Sequence, residues 1–185
     1  MKLLLLVTAF NSQTQAIYTR LQDKGHTVVV CFAISESQML EEIEAFEPKL
    51  ILCPFLKAYL PASIYENYPT YIFHPGPRGD RGPNALEYAL KSHTKEWGLV
   101  VLRANSAYDG GDIYAEVHFK VRETYKASLY RQEIVNASLE ALELLFDNIV
   151  NNTCLSQVMN PIHAPFTSST TEYKLGDRLN ANHHR

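Results

Sequence analysis

Apolar residues along the chain form short continuous runs that alternate with segments of helical spacing. Strands are predicted at residues 3–7, 27–32, 50–53, 71–73, 98–102 and 113–120, where the runs are continuous or alternate with polar residues. Helices are predicted at residues 12–24, 36–46, 83–91 and 127–150, where apolar residues recur every three or four positions. The early strands are too apolar to face water on one side, which is typical of parallel strands covered by helices.

This alternation predicts an α/β protein with a mostly parallel, doubly wound sheet flanked by helices. The last two strands are expected to form a hairpin around an irregular, Gly-rich turn. Pro83 is expected to begin its helix, since its missing N–H costs nothing in a first turn. The periodicity fails after Val150. We therefore expect one domain over residues 1–150 and an extended or partly disordered tail over 151–185.

Composition and charge exclude several classes of protein. With 185 residues, 46% of them hydrophobic, the chain fits one globular domain and not a disordered segment. The net charge of −3 is spread along the chain without a basic stripe, which argues against nucleic acid as the main ligand. Three widely spaced cysteines favour a reducing compartment over a disulfide framework. No apolar stretch has the length of a membrane span, so we expect a cytoplasmic protein.

Polar loops follow several predicted strands, and an open parallel sheet binds its ligands at that edge. The loop at residues 10–15 is rich in amides and hydroxyls but lacks the glycines of a dinucleotide site, and helix capping by Ser12 explains it equally well. A second loop, Pro54-Phe55-Leu56-Lys57, places an aromatic and a basic side chain after a buried strand. By itself this loop is compatible with a plain turn.

The third and fourth loops carry the candidate chemistry. His74 ends a strand and opens a rigid loop rich in glycine and proline, and Asp109 lies in the turn of the predicted hairpin. A carboxylate beside an imidazole orients the ring and fixes its tautomer, as general acid–base catalysis requires. A structural histidine and an Asp-Gly turn are the alternatives. His74, Asp80, Asp109 and Asp112 are also possible metal ligands, but no metal-binding spacing supports this, so no metal is expected.

The order of these motifs resembles the 10-formyltetrahydrofolate-dependent formyltransferases, and within them the amino-terminal domain of the hydrogenase maturation factors of the HypX (HoxX) type. The resemblance covers residues 1 to about 150. It rests on five stretches: residues 9–15, residues 54–57, His74-Pro75-Gly76 with residues 79–83, Glu96-Trp97-Gly98, and residues 128–131. It implies the Rossmann-like formyltransferase fold and formyl transfer from N10 of 10-formyltetrahydrofolate to an acceptor nucleophile.

The resemblance also implies roles for individual residues. His74 and Asp109 match the catalytic pair of the family: a protonated His74 would stabilise the oxyanion, and Asp109 would hold the imidazolium and help to relay a proton. Asn11, Gln15 and Arg131 would bind substrate, and Arg131 could pair with a carboxylate or phosphate of folate or coenzyme A. Arg131 is equally well explained as a solvated helix residue. The pterin pocket would be lined, largely through backbone groups, by Pro54, Phe55, Leu56, Lys57, Asn105, Ser106, Ala107 and Tyr108.

One position departs from the family pattern. The family has an asparagine two residues before its histidine, and this chain has Ile72. Loss of such an oxyanion donor costs roughly 3 kcal/mol of transition-state stabilisation. In the hydrogenase-maturation branch the acceptor is thought to be the thiol of coenzyme A, which is a better nucleophile at neutral pH than a protonated amine. Formyl transfer to coenzyme A is therefore the leading expectation.

Other functions remain open on the sequence. The acceptor is an amine, such as an amino sugar, in one alternative, and the chain is a non-catalytic folate-binding module in another, which Ile72 favours. A structural domain that docks to a partner leaves the polar strand-end loops unexplained. HypX-type proteins also carry a second, enoyl-CoA-hydratase-like domain, and 185 residues leave too little room for it beyond a catalytic domain of about 150. We expect this chain to perform the first transfer at most.

Overall fold

A computed structural model of the chain describes residues 1–155, and the predicted tail from residue 156 onward lies outside the described residues. The strands are β1 (Lys2–Val7), β2 (Thr27–Phe32), β3 (Leu50–Cys53), β4 (Thr70–His74), β5 (Glu96–Arg103) and β6 (Ile113–Lys120). The helices are α1 (Ser12–Asp23), α2 (Glu36–Phe46), α3 (Ala62–Tyr65), α4 (Ala85–Lys91), α5 (Lys126–Leu129) and α6 (Val135–Val150), with a π-helical turn (Tyr130–Ile134) joining the last two.

The strands form one mixed sheet in the order β2-β1-β3-β4-β5-β6. β1 pairs in parallel with β2 and with β3, and β3 pairs in parallel with β4. β5 runs antiparallel to β4 and to β6, so it alone reverses direction. The predicted α/β architecture with a mostly parallel sheet is confirmed, and the carboxyl ends of β1, β3 and β4 meet at one edge.

Helices cover both faces of the sheet, and β1 shows why its sequence is continuously apolar. Leu3, Leu5 and Val7 pack into one hydrophobic cluster. Leu4 and Leu6 pack into a second cluster on the opposite face. All five side chains are fully buried, because successive residues of a strand point to opposite faces and both faces are covered.

The hairpin prediction is confirmed, with a register shift between Val101 and Leu102. Beyond β5, residues 104–112 form a long turn that relies on Gly111. A Cβ atom at Gly111 would overlap the carbonyl oxygen of Arg103, so a side chain there would displace the backbone. This turn carries Asp109, which has a left-handed backbone with φ 44°.

One predicted helix start is wrong, and so is the suggested capping residue of α1, which begins at Ser12 as predicted. α4 begins at Ala85 and not at Pro83, because Asn84 has a left-handed backbone (φ 64°) that interrupts the helical conformation. α1 is capped by Asn11 and not by Ser12: the Asn11 Oδ1 accepts a hydrogen bond from the Thr14 N–H at 3.0 Å, and Ser12 is already helical.

The predicted helix over residues 127–150 is interrupted by the π-helical turn. Leu129 and Ile134 are both fully buried although they are five residues apart. In a regular α-helix that spacing would place them about 140° apart, whereas the wider turn brings them to one face. The turn also places Tyr130 beside the loop that follows β3, where its ring contacts Phe55.

Candidate active site

The loops after β1 and β3 are joined at the carboxyl edge of the sheet. The Thr8 N–H donates to the Phe55 carbonyl oxygen at 2.8 Å. The Lys57 N–H donates to the Thr8 Oγ1 at 2.8 Å. The loop at residues 54–57 is therefore held in place by two of its own backbone groups.

His74 ends β4 at the same edge and is 4% exposed. Its Nε2 lies 2.7 Å from the Asp80 Oδ2, and its Nδ1 lies 3.4 Å from the Asp109 Oδ2. The structure thus brings together the two residues predicted as the catalytic pair. It also adds a carboxylate, Asp80, that the sequence suggested only as a metal ligand.

Asp109 reaches His74 from the long turn between β5 and β6. Its Oδ2 also accepts a hydrogen bond from the Gly82 N–H at 2.9 Å. The left-handed backbone of Asp109 is a conformation that non-glycine residues adopt rarely and at some cost. The turn therefore holds its carboxylate against the loop after β4, within reach of the imidazole.

Gly76 makes room for the contact between His74 and Asp80. A Cβ atom at this position would overlap the Asp80 carboxylate and would lie 2.5 Å from the His74 Nε2. Any residue larger than glycine would push the two side chains apart. Close approach of side chains, and not a positive φ, is the reason for glycine here.

Ile72 lies two residues before His74 in β4, on the same face of the strand. Its side chain is half-buried and packs against the second hydrophobic cluster. The side chain at this position therefore supplies apolar surface next to the imidazole and no hydrogen-bond donor.

An aromatic pair joins the loop after β3 to the π-helical turn. Phe55 meets Tyr130 edge to face with ring centroids 6.2 Å apart. The Lys57 Nζ lies 5.3 Å from the centre of the Phe55 ring, and the Lys126 Nζ lies 6.0 Å from the centre of the Tyr130 ring. Lys126 also forms an ion pair with Glu87 of α4. The contact between the two rings joins the loop after β3 to the π-helical turn. Each cation lies near a ring of its own segment, where the ring quadrupole attracts it.

Two pKa shifts accompany this packing. Burial raises the pKa of the Tyr130 phenol, and the nearby Glu87 adds to the effect. The hydrogen bond from Lys126 holds the pKa of the Glu87 carboxyl below its usual value. Tyr130 is therefore neutral, and Glu87 charged, across the physiological range of pH.

The predicted pterin residues of the hairpin turn lie at the surface. Asn105, Ser106, Ala107 and Tyr108 are exposed. The Asn105 Oδ1 accepts from the Ala107 N–H at 2.9 Å, and the Ala107 carbonyl oxygen accepts from the Gly110 N–H at 3.2 Å. These local hydrogen bonds shape the turn that carries Asp109.

The three predicted substrate-binding residues are more exposed than His74 and Asp80. Asn11 is half-buried, and its Oδ1 caps α1. Gln15 is exposed, and its Nε2 donates to the Phe10 carbonyl oxygen at 2.9 Å. Arg131 is exposed on the π-helical turn, next to Tyr130.

The three cysteines are free and buried. Burial raises the pKa of the Cys31 thiol to about 12, which keeps it protonated and unreactive. Within residues 1–155, no group of three or more histidine, cysteine, aspartate or glutamate side chains is placed to hold a metal ion. None of the helices in the same part of the chain has the length and apolarity needed to cross a bilayer.

Sequence reasoning missed three features of the site: Asp80 as a partner of His74, the space at Gly76, and the ring contact of Tyr130. Asp80 lies six residues after His74, in one of the stretches that carry the family resemblance, and the sequence suggested it only as a possible metal ligand. Tyr130 is one of eleven tyrosines, and no local pattern distinguishes it. These contacts depend on tertiary packing, for which the sequence carries no periodic signal.

Comparison with known proteins places the chain near two maturation factors. It is 37% identical over 142 residues to the hydrogenase maturation factor HoxX of Bradyrhizobium diazoefficiens, an alignment that covers 77% of this chain and 25% of HoxX. It is 38% identical to HypX from Aquifex aeolicus, whose crystal structure is a complex with tetrahydrofolic acid; the match covers 82% of this chain and 27% of HypX, with a TM-score of 0.79. The chain spans about a quarter of the length of these relatives.

A more distant similarity identifies the fold. The phosphoribosylglycinamide formyltransferase of Anaplasma phagocytophilum is 15% identical, with a TM-score of 0.65 over 82% of this chain and 87% of its own. No family model matches the sequence. The sheet and its flanking helices therefore form a formyltransferase fold.

Proposed function

Because this chain is a homologue of the amino-terminal, formyltransferase-type domain of the hydrogenase maturation factors HypX and HoxX, we propose that it takes the formyl group of 10-formyltetrahydrofolate and transfers it to the thiol of coenzyme A. The observation that carries the proposal is the contact of His74 with Asp109 at the carboxyl end of β4. The complex of HypX with tetrahydrofolic acid supports the folate donor.

His74 and Asp109 have different roles in the proposed transfer. The thiol sulfur attacks the formyl carbon, a C–S bond forms, and the carbonyl oxygen becomes an oxyanion. The imidazolium of His74 donates a hydrogen bond to that oxygen. Asp109 accepts the proton of the thiol and passes it to N10 as the C–N10 bond breaks, which releases tetrahydrofolate and formyl-coenzyme A. Atoms and charges balance without a metal or a redox partner.

The surrounding residues provide the binding surfaces in this proposal. Phe55 offers a half-buried aromatic ring to the pterin, together with the backbone of Pro54, Leu56 and Lys57. The turn that contains Asn105, Ser106, Ala107 and Tyr108 closes the pocket beside Asp109. Gln15 and Arg131 bind the acceptor, since a guanidinium group pairs well with phosphate or carboxylate, and Asn11 positions the start of α1.

Ile72 bears on the choice of acceptor. It places apolar surface where the family has an amide donor, so the oxyanion loses one hydrogen bond and the reaction needs a more reactive nucleophile. A thiol meets this requirement better than a protonated amine does. Ile72 equally supports the second candidate, a module that binds folate without turnover.

The first experiment replaces His74 by alanine and measures release of tetrahydrofolate from 10-formyltetrahydrofolate in the presence of coenzyme A. We expect a loss of roughly 10²- to 10⁴-fold with the fold intact, because the oxyanion loses its donor. His118→Ala is the matched control, since His118 is exposed on β6. Full activity of His74→Ala would refute the assignment.

The second experiment separates the candidate functions. Coenzyme A and an amino sugar compete as acceptors in one reaction, and loss of free thiol is followed together with formation of the formamide. We expect thiol consumption only. Formation of the formamide would show that the acceptor is an amine and not the thiol. Binding of a folate analogue without loss of 10-formyltetrahydrofolate would show a non-catalytic module.

A further inference from the structure

The two carboxylates beside His74 make unequal contacts. Asp80 approaches Nε2 to 2.7 Å, which is the length of a strong, charge-assisted hydrogen bond. Asp109 lies 3.4 Å from Nδ1, beyond the usual range, and the same oxygen accepts the Gly82 N–H at 2.9 Å. The tight partner of the imidazole is therefore Asp80, and the loose one is Asp109.

The two carboxylates also differ in burial. The side chain of Asp80 is 0% exposed, whereas that of Asp109 is 11% exposed. Asp80 lies in the same short loop as His74, and Gly76 leaves just enough space for their contact. Asp109 comes from a separate turn, in which residues 105–108 lie at the surface. A substrate can reach the Asp109 side of the ring, but it cannot reach the Asp80 side without unpacking the loop.

The difference between the two carboxylates determines which ring nitrogen of His74 carries the proton. A neutral ring carries one N–H, and the nitrogen that carries it is set by the hydrogen bond made there. A carboxylate at 2.7 Å from Nε2 is an acceptor that keeps the proton on that nitrogen. Nδ1 is then free to exchange its long contact with Asp109 for a contact with substrate.

We propose that Asp80 is a positioning residue that holds the Nε2–H of His74, so that Nδ1 is the nitrogen presented to the reacting formyl group and Asp109 is left to relay the proton. The inference rests on the proposed function for its chemical meaning, but the hydrogen bond and the tautomer belong to the protein alone. In the transfer, the imidazolium stays bound to Asp80 through Nε2 while its Nδ1–H donates to the oxyanion.

The test reads the tautomer directly by long-range ¹H–¹⁵N spectroscopy of the full chain labelled with ¹⁵N-histidine, with His74→Gln used to assign the signal. In the wild-type protein we expect the neutral ring of His74 to carry its proton on Nε2. In Asp80→Asn this preference should be lost, and in Asp109→Asn it should persist. Asp112→Asn is the matched control, because Asp112 is an exposed carboxylate of the same turn as Asp109.

Kinetics complete the test. Asp80→Asn should lower kcat by roughly 10²- to 10⁴-fold, as expected when a catalytic histidine loses its orientation, while the KM for the folate changes little. A purely structural role would instead lower stability and leave the tautomer and kcat unchanged. Wild-type His74 protonated on Nδ1, or a tautomer that depends on Asp109 and not on Asp80, would overturn the proposal.

The outcomes distinguish this proposal from the proposed function. If the chain transfers no formyl group but His74 keeps its Nε2 proton through Asp80, the proposed function fails and the positioning role stands. If transfer occurs with the other tautomer, the proposed function stands and the positioning role fails. The wild-type measurement is decisive even if Asp80→Asn does not fold.

Discussion

The groups proposed to react and the groups proposed to bind substrate differ in how deeply they are buried. His74 and Asp80 are almost completely buried, and a glycine fits the space between them. Gln15 and Arg131 are exposed, on helical segments, and their long side chains carry rotational freedom that a ligand would have to restrict. The groups proposed for the chemistry are therefore in place before the substrate binds, whereas the side chains proposed for recognition become ordered only when it binds.

The strongest test of a preformed cluster is Gly76→Ala. Its Cβ atom would overlap the Asp80 carboxylate and displace the imidazole. A displacement of about 1 Å costs roughly 10²-fold in rate, so we expect at least that loss of kcat, measured as release of tetrahydrofolate. Gly79→Ala is the control from the same loop: its Cβ meets nothing within 4 Å, although its φ is +86°.

The control should behave in the opposite way. Gly79→Ala should lower the free energy of unfolding by about 1 kcal/mol, because alanine is strained at that φ, and it should retain its activity. Chemical denaturation measures the first quantity and the folate assay the second. Normal activity of Gly76→Ala would show that the His74–Asp80 contact does not matter for the reaction.

The second test adds a polar group beside the buried His74. Ile72→Asn places an amide on the face of β4 that carries His74, at the position of the family donor. We expect kcat to rise by roughly tenfold or more, because one oxyanion donor contributes about 10²-fold when ideally placed. Ile72→Leu controls for the change in packing. A fall in activity with normal stability would mean that the apolar surface is itself required.

The third test concerns Arg131, one of the exposed residues proposed to bind substrate. Arg131→Ala should raise the KM for coenzyme A by roughly tenfold and leave kcat and stability unchanged, since a charge-assisted contact with the ligand contributes about 1.5 kcal/mol. Lys49→Ala is the control, because Lys49 is an exposed cation that precedes β3, at the amino end of the sheet. An equal effect of both substitutions would indicate a general electrostatic contribution.

The smallest expected effect concerns Phe55, the aromatic ring proposed to contact the pterin. Phe55→Leu removes the edge-to-face contact with Tyr130, which is worth about 1 kcal/mol, and should raise the KM for the folate about fivefold. The control is Phe32→Leu, at the exposed end of β2. An unchanged KM for the folate would show that Phe55 does not contribute to pterin binding.

The fold was largely predictable, because each strand buried on both faces is a continuous apolar run. β2, β3 and α2 have the predicted bounds, and β1 and β4 differ by a residue or two. The predictions failed where local backbone geometry overrides the pattern. Asn84 interrupts the start of α4, and the π-helical turn changes the spacing of buried residues from four to five. The four-residue α3 is too short to show a period.

The site was predictable in its chemistry and not in its contacts. His74 and Asp109 were identified from strand ends and from the family resemblance, and they do meet. Asp80 was not identified as their partner, because its six-residue separation from His74 corresponds to no regular element. Which carboxylate lies nearer the imidazole depends on the loop that Gly76 permits, and that loop is set by packing.

The contact between His74 and Asp80 closes a segment of only six residues, whereas the contact with Asp109 spans 35 residues and requires the β5–β6 hairpin to have formed. Short loops close within tens of nanoseconds and long ones lose more chain entropy. During folding we expect the imidazole to gain its inner carboxylate first and its outer carboxylate last. The inner contact therefore depends on the packing of one loop, whereas the outer contact depends on two separate segments of the chain.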